Sequence, residues 1–149
     1  MKAKHKILFV ILVIVIAGGW YAYSVYQEKT PDVVGKEPEV VTTAKELLEA
    51  FDKDTADARQ KYIDKIVEVS GTVKRIDTTG SVVLGEEGTA SEVTIGLDRR
   101  HIGDYKKIKE GAMAKFQGVC SGYDKGNSDD LLASLGTTVE LRSAGVKAK

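Results

Sequence analysis

The feature that most constrains this chain is a stretch of 21 residues without a charged side chain, residues 7–27. Aliphatic residues fill most of its first half, and Trp20 and three tyrosines follow. About 20 helical residues cross the ~30 Å hydrocarbon core of a bilayer, and aromatic side chains favour its interface with water. The stretch therefore predicts one N-terminal transmembrane helix.

The charges on either side of this stretch predict its orientation. Lys2, Lys4 and Lys6 precede it, and no acidic residue occurs before Glu28. Because basic residues favour the cytoplasmic side, we expect a single-pass protein with a cytoplasmic N-terminus and the rest in the periplasm or at the cell surface. A cleaved signal peptide is the alternative, since residues 15–17 fit a cleavage site, and it would secrete the rest to the same side.

The exported part of the chain is mildly acidic. The whole chain has 22 basic and 22 acidic residues; without the three leading lysines, 19 basic residues stand against 22 acidic ones, a net charge of −3. A domain that binds nucleic acid by neutralising phosphates is normally basic. The charge therefore disfavours nucleic acid as a partner.

Composition divides the chain into four predicted parts. They are an anchor or signal over 1–27, a linker over 28–42, a barrel domain over 43–142 and a flexible tail over 143–149. The linker holds both prolines, Pro31 and Pro38, among charged and small residues, which is typical of a tether. The last residues are polar and small, which favours fraying.

The barrel domain shows a change from helical to strand periodicity. Residues 43–46 fit an S/T-x-x-E capping box, and apolar spacing then predicts one amphipathic helix to about Lys61. Alternating patterns predict strands over 67–74, 92–97, 112–121 and 138–142. A short apolar run between two turns predicts a further strand over 81–84. Turns are predicted over 77–80 and 85–89, a short helix over 105–109 and a loop over 123–130.

Five short strands with a helix between the third and fourth predict a mainly β fold with added helices. This layout is that of an oligonucleotide/oligosaccharide-binding (OB) barrel, here preceded by the amphipathic helix. Gly71 and Gly118 lie within strands, where small barrels need bends or close backbone approach. An SH3-like barrel or an α+β sandwich is the alternative.

Short motifs across this domain form a wider pattern. They are Ala58, Lys61, Tyr62, Lys65 and the segments 68–73, 81–84, 109–111, 116–122 and 130–132. In these motifs the chain resembles exported bacterial OB-fold proteins of the tRNA-anticodon-like (tRNA_anti-like) family. The resemblance implies an OB barrel, an export signal and kinship with the anticodon-binding barrels of tRNA synthetases. It implies no catalytic residues, and kinship of fold is not evidence of tRNA binding.

OB barrels bind ligands on the face of their second and third strands, between two flanking loops. The candidate ligand-binding residues on this face and its loops are Asp77, Thr78, Thr79, Thr94, Tyr123, Lys125 and Asn127. Arg99 and Arg100, next to His101, could hold a phosphate or carboxylate, although such a run is typical of solvated surface. Only Tyr123 could stack on a base or sugar, whereas single-strand binders usually offer several aromatic platforms.

No residue set in the sequence predicts catalysis, a metal or a cofactor. The loop with Asp124, Asn127, Asp129 and Asp130 departs from the calcium-loop spacing. The single cysteine, Cys120, excludes an intrachain disulfide and a cysteine zinc site, and we expect it in the core.

Together these features predict a membrane-tethered, extracytoplasmic binding module that is not an enzyme. An envelope protein, a peptide or a glycan is the favoured ligand, and residues 7–27 provide the contact with the membrane. Oligonucleotide binding by the barrel is the alternative, and a hydrolytic enzyme is a remote one.

Overall fold

The computed structural model describes residues 2–26, 31–126 and 136–147, and the chain forms two compact units, Met1–Pro31 and Asp32–Lys149. The first unit contains α1 (Lys2–Tyr26), with side chains described at Ile7 and over 9–24. The described large apolar side chains between Ile7 and Ile16 are 48% to 67% exposed. Within the residues that the structure describes, no helix is sufficiently long and apolar to span a membrane.

The described part of the second unit, residues 32–126 and 136–147, contains six strands, two α-helices and a 3₁₀ helix. In chain order these are β1 (Val40–Thr43), α2 (Ala44–Lys53), α3 (Thr55–Tyr62), β2 (Ile66–Asp77), β3 (Ser81–Leu84), β4 (Glu92–Leu97), the 3₁₀ helix (Ile102–Lys107), β5 (Met113–Lys125) and β6 (Thr137–Val146).

Strands β2 to β6 form a closed five-stranded barrel in the order β2-β3-β4-β6-β5, because β5 pairs back onto β2. The β4–β6 pair is parallel and the other four barrel pairs are antiparallel. The helical turn between β4 and β5 completes the OB layout. The predicted OB-type barrel is confirmed, and β1 adds a sixth strand parallel to β2 that the sequence pattern did not reveal.

The core lies inside the barrel, as the alternation of apolar residues predicts. Its buried strand residues include Val67, Val69, Val73, Val82, Leu84, Val93, Ile95, Phe116, Cys120, Val139 and Leu141. Helix α2 adds the buried side chains of Leu47 and Phe51 to the same cluster. Because this cluster lies wholly within Asp32–Lys149, the second unit has its own hydrophobic core and meets the usual condition for independent folding.

The two glycines predicted at close approaches do lie at such positions. A Cβ atom at Gly118 would lie 2.7 Å from Ala144 Cβ and 2.9 Å from the Arg142 carbonyl oxygen, so β5 and β6 pack too closely there for a side chain. A Cβ atom at Gly71 would lie 2.9 Å from Ala44 Cβ, which is how α2 approaches β2.

The capping box is confirmed, but the single predicted helix is wrong. Thr43 Oγ1 accepts a hydrogen bond from the Glu46 N–H at 3.2 Å, and the Thr43 N–H donates to Glu46 Oε2 at 3.2 Å. The helix ends at Lys53 because Asp54 is extended and its carboxylate accepts from the N–H groups of two following residues, starting α3. An Asp side chain that bonds the nearby backbone competes with helix continuation.

Both ends of the predicted domain differ from expectation. Within the predicted linker, Val33 is buried and β1 begins at Val40. Within the predicted tail, β6 continues to Val146 and Ala144 is buried. Ser143 adopts a left-handed backbone with φ 53°, and the irregular register beside it interrupts the period of two on which the strand prediction depended.

Smaller differences concern the second half of the barrel. Strand β5 continues to Lys125, so the loop predicted from Tyr123 is strand at its start, and its part from 127 lies outside the described residues. The short helix predicted over 105–109 is the 3₁₀ helix Ile102–Lys107. Strands β3 and β4 match their predicted bounds.

Candidate functional site

The structure divides the predicted ligand-binding residues between the two ends of β4. Ser81 pairs with Gly96, so the turn with Thr78 and Thr79 lies at the end where Arg99 and Arg100 follow β4. Tyr123 pairs with Val139, which pairs with Val93 near the start of β4. Tyr123 and Lys125 therefore lie towards the opposite end, Thr94 lies between the two groups, and Asn127 falls outside the described residues.

Three of these side chains, those of Arg100, Tyr123 and Lys125, are engaged within the fold. Arg100 donates from Nε and Nη2 to the Asp98 carboxylate at 2.8 and 2.7 Å, and these hydrogen bonds hold the pKa of Asp98 well below its usual range. The Tyr123 ring stacks on Phe51 with centroids 4.8 Å apart. Lys125 Nζ donates to the Asp52 carbonyl oxygen at 3.0 Å.

The turn before β3 is likewise held by its own hydrogen bonds. Asp77 Oδ1 accepts from the Thr79 N–H at 3.0 Å, and this contact lowers the pKa of the Asp77 carboxyl. Such a bond is the usual device of an Asx turn. The turn is thus accounted for by local structure.

The outer face of β3 and β4 offers little exposed surface and has no aromatic side chain from either strand. Neither strand contains an aromatic residue, and Val83, opposite Thr94, is only 4% exposed. Glu92 on β4 forms ion pairs with Lys74 at 3.5 Å and Arg75 at 4.0 Å. Bases of a single strand would find no stacking platform on this face.

A groove of about 410 Å³ lies between α2 and the barrel, and we call it the helix groove. Ala44, Leu48, Gly71 and Met113 are its apolar lining, and Met113 is 67% exposed. Its charged lining residues are Lys45, Glu49, Asp52 and Glu86. Its remaining lining residues are Thr43, Ser70, Thr72, Gly85, Thr89 and Ser91.

A second groove of about 490 Å³ lies on the other side of Met113 and Ser70, which line both grooves. Four lysines line it, namely Lys107, Lys109, Lys115 and Lys147, together with the apolar residues Ile108, Ala112, Ala114 and Val146. No acidic residue is among its described lining residues, and we call it the lysine groove.

The lysine groove was not predicted from the sequence. Lys106, Lys107 and Lys109 are a visible cluster in the sequence. Lys115 from β5 and Lys147 beyond β6 join it only through the pairing of the two strands, with Phe116 opposite Val146. The sequence alone indicates three lysines in a short helix, whereas the fold brings lysines from three segments together in one basic groove.

Tyr123 and Lys125 also line an open depression beside α3. Its other lining residues are Thr55, Arg59, Ile63 and Asp124. It is the one place where two predicted ligand-binding residues share a described concave surface, and the stacking of Tyr123 on Phe51 limits the ring's freedom to bind anything else.

Residues 32–36, which we call the strap, lie against β5 and β6. Fully buried Gln117 donates from Nε2 to the carbonyl oxygens of Val33 and Lys36 at 2.5 and 2.6 Å. His101 Nε2 lies 2.9 Å from Asp32 Oδ2, and this hydrogen bond lowers the pKa of Asp32. His101, predicted only as a neighbour of the arginine pair, thus helps to fasten the strap.

The single cysteine of the chain, Cys120, is a free and buried thiol. Burial raises the pKa of the Cys120 thiol to about 11, which disfavours the nucleophilic thiolate. Among the described residues, no three His, Cys, Asp or Glu side chains are grouped so that they could hold a metal ion.

Comparisons with known proteins point to one family and one fold. The family model tRNA_anti-like matches residues 1–129. A crystal structure of a proposed nucleic acid-binding lipoprotein from Klebsiella pneumoniae subsp. pneumoniae MGH 78578 is similar at a TM-score of 0.50 and 19% identity, over 72% of this chain and 91% of that one. At this identity the likeness shows the fold alone.

A second crystal structure, of a proposed aspartyl-tRNA synthetase from Leishmania major Friedlin, aligns at a TM-score of 0.39 and 8% identity, over 83% of this chain and 22% of that one. No curated protein sequence matches the chain significantly.

Proposed function

This chain belongs to the tRNA_anti-like family, and we propose that its OB-type barrel is a non-enzymatic binding module, tethered to a membrane and facing the extracytoplasmic space. Its favoured ligand is a protein or peptide of the cell envelope, or a glycan. The single observation that carries the choice of ligand is the helix groove, which combines an exposed methionine, Met113, with charges of both signs.

The proposed tether rests on the sequence of residues 7–27, which hold no charge, and on the side chains of α1. Large apolar side chains are exposed at every position from Phe9 to Ile16, so no face of this part of the helix is polar. A helical stretch that is apolar all round is typically buried, in a protein core or in a membrane. The sequence of residues 7–27, part of which lies outside the described residues, is what favours the membrane. The three lysines before it favour a cytoplasmic N-terminus.

Cell fractionation of the full chain tests the tether. We expect the protein in the membrane fraction after alkaline carbonate washing, and protease added to spheroplasts should digest the barrel. A barrel that is released by carbonate or is protected from external protease would contradict the tether or its orientation, respectively. Replacing Val10 and Ile14 by lysine should release the protein from the membrane, since each charge opposes insertion.

The helix groove favours a protein, peptide or glycan over a polyanion. Its charged lining comprises one lysine and three acidic residues, and Lys45 itself lies 3.7 Å from Glu86. A phosphate backbone would be repelled by Glu49 and Asp52, whereas a peptide can pair with charges of either sign. Exposed Met113 offers an adaptable apolar contact, as methionine does at many protein-binding surfaces.

Site-specific photocrosslinking tests this ligand class. A photoreactive residue in place of Met113 should yield a discrete protease-sensitive or glycosidase-sensitive adduct in cells. The same residue in place of exposed Glu87, outside the lining of the helix groove, is the matched control and should yield none. Ser70→Trp, which fills the groove, should abolish the adduct. A nuclease-sensitive adduct, or none, would contradict the proposal.

The absence of catalysis is part of the proposal and is supported by the chemistry of the described groups. Of the described groups most often used for nucleophilic or acid–base catalysis, the Cys120 thiol is buried and His101 is engaged with Asp32. A screen of the purified protein against ester, phosphoester and glycoside substrates should show no turnover above that of a Cys120→Ala/His101→Ala double variant. Turnover that this variant loses would contradict the proposal.

Nucleic-acid binding is the second candidate. It is favoured by membership of a family with an OB-type barrel and by the description of the Klebsiella pneumoniae protein as a proposed nucleic acid-binding lipoprotein. The four lysines of the second groove are the described surface on which it would depend.

A further inference from the structure

The lysine groove concentrates positive charge in a unit that is acidic overall. Four ammonium groups line it, and two of them have acidic partners, Lys107 with Asp104 at 2.7 Å and Lys115 with Glu68 at 3.9 Å. The ammonium group of Lys109 has no ion-pair or hydrogen-bond partner in the part of the chain that the structure describes. The groove therefore keeps a net positive charge that no described partner neutralises.

The groove also has an apolar lining beneath the lysines. Ile108, Ala114 and Val146 contribute to it, and exposed Met113 forms the border with the helix groove. Lysine side chains can lie along apolar surface while their ammonium groups stay in water. Such an arrangement is suited to the membrane interface, where anionic headgroups lie between water and hydrocarbon. The two grooves thus carry opposite net charge on the two sides of Met113. Acidic residues outnumber lysine in the lining of the helix groove, and lysines are the only charged residues in the described lining of the lysine groove.

The groove adjoins the point where the chain enters the barrel. Lys147 Nζ donates to the Val34 carbonyl oxygen at 3.3 Å, and also to Gln117 Oε1 at 2.6 Å. The tether proposed above would keep the barrel unit at the membrane that anchors the chain, and this step rests on that proposal.

We propose that the lysine groove docks on the headgroups of anionic phospholipids in the membrane that anchors the chain. Its lysines bind headgroup phosphates. Docking would present a fixed face of the barrel to the membrane and leave the helix groove of opposite charge to its own ligand. The chemistry is that of basic segments held at anionic membranes, in which each lysine adds a small increment of affinity.

Vesicle cosedimentation of residues 32–149, the unit with its own core, tests the proposal without the anchor. We expect binding to vesicles of phosphatidylglycerol and phosphatidylcholine, and none to phosphatidylcholine alone. Binding should weaken as salt rises, because screening acts on exposed charges. The variant Lys107→Gln/Lys109→Gln/Lys115→Gln should lose roughly fivefold per lysine, on the order of 100-fold in all.

A matched variant removes the same charge elsewhere. Lys53→Gln/Arg59→Gln/Lys61→Gln changes three exposed basic residues of α2 and α3, and it should bind the anionic vesicles as the unaltered unit does. Equal losses in both triple variants, or no binding to anionic vesicles at low salt, would overturn the proposal. Circular dichroism and thermal melting of each variant verify that a loss reflects the groove and not the fold.

Two competition arms identify the chemistry that the lysines bind. Soluble glycerol phosphate at millimolar concentration should compete only weakly, because a bilayer presents many headgroups at once. Tighter binding of a single-stranded oligonucleotide by the same three lysines than of vesicles would overturn the proposal in favour of nucleic acid. Fractionation of the full chain tests the tether separately, so vesicle binding by residues 32–149 can succeed or fail independently of it.

Discussion

The side-chain amide of Gln117 donates a hydrogen bond to the backbone carbonyl of Val33 at 2.5 Å, joining positions 84 residues apart. This bond, with the one to Lys36 and the contact with Lys147, makes the strap part of the barrel. The chain is therefore fastened to the barrel from Asp32 onward.

Gln117→Leu should destabilise the barrel by about 2–3 kcal/mol, since it removes the hydrogen bonds that a buried amide makes to two carbonyl groups and to Lys147. Urea unfolding measures the change. Gln60→Leu, on the exposed side of α3, is the control and should stay within about 0.5 kcal/mol of the unaltered protein. Equal stability of the Gln117 variant would show that the strap bonds contribute nothing net.

Gly118→Ala should cost about 1–3 kcal/mol, because the added methyl group meets Ala144 and the Arg142 carbonyl group. Gly122→Ala is a control on the same strand, where a Cβ atom meets nothing within 4 Å, and it should be neutral or slightly stabilising. Similar thermal midpoints for the two variants would contradict the packing of β5 on β6.

The Asp98→Asn variant should be less stable than the unaltered protein at pH 7, and this difference in stability should become smaller as the pH falls. The hydrogen bonds from Arg100 keep the pKa of Asp98 well below its usual range, so the carboxylate stabilises the fold above the ordinary carboxyl pKa of about 3.9. That contribution is lost as the pH falls below this value towards the folded-state pKa. Melting temperatures between pH 7 and pH 2 measure the gap, and a gap of constant size would contradict the Arg100 contact.

Cys120 should react with a thiol reagent more than about 100-fold more slowly in the native protein than in urea, since burial keeps it protonated and covered. The rate of release of the coloured product at pH 8 measures this. Fast labelling in the native state would mean that the centre of the barrel opens readily.

The sequence predicted the barrel well wherever local pattern and burial agree. The turns on either side located β3, and period-two alternation located β4, because both strands are short and regular. The prediction of one helix failed at Asp54, and the prediction of the last strand failed at Ser143. At each position the backbone of one residue departs from the local pattern. Strand β1 stayed hidden because four residues after a proline-rich segment carry too little periodicity to distinguish a strand from a linker.

The candidate surfaces were less predictable for a physical reason. The residues predicted from OB kinship lie at both ends of β4, whereas the lysine groove joins residues from the 3₁₀ helix, β5 and the chain beyond β6. Only strand register brings Lys115 and Lys147 near Lys107, and register is a property of pairing that a linear pattern does not contain.

The measurement that tests the central claim most directly is fluorescence anisotropy of labelled single-stranded DNA and RNA with residues 32–149. The label must be on the nucleic acid, since the only tryptophan, Trp20, lies in α1. At about 150 mM salt, where screening is near physiological, we expect no saturable binding. Saturable binding that weakens steeply with salt and is lost with Lys107, Lys109 and Lys115 would contradict the account and make the barrel a nucleic-acid-binding module.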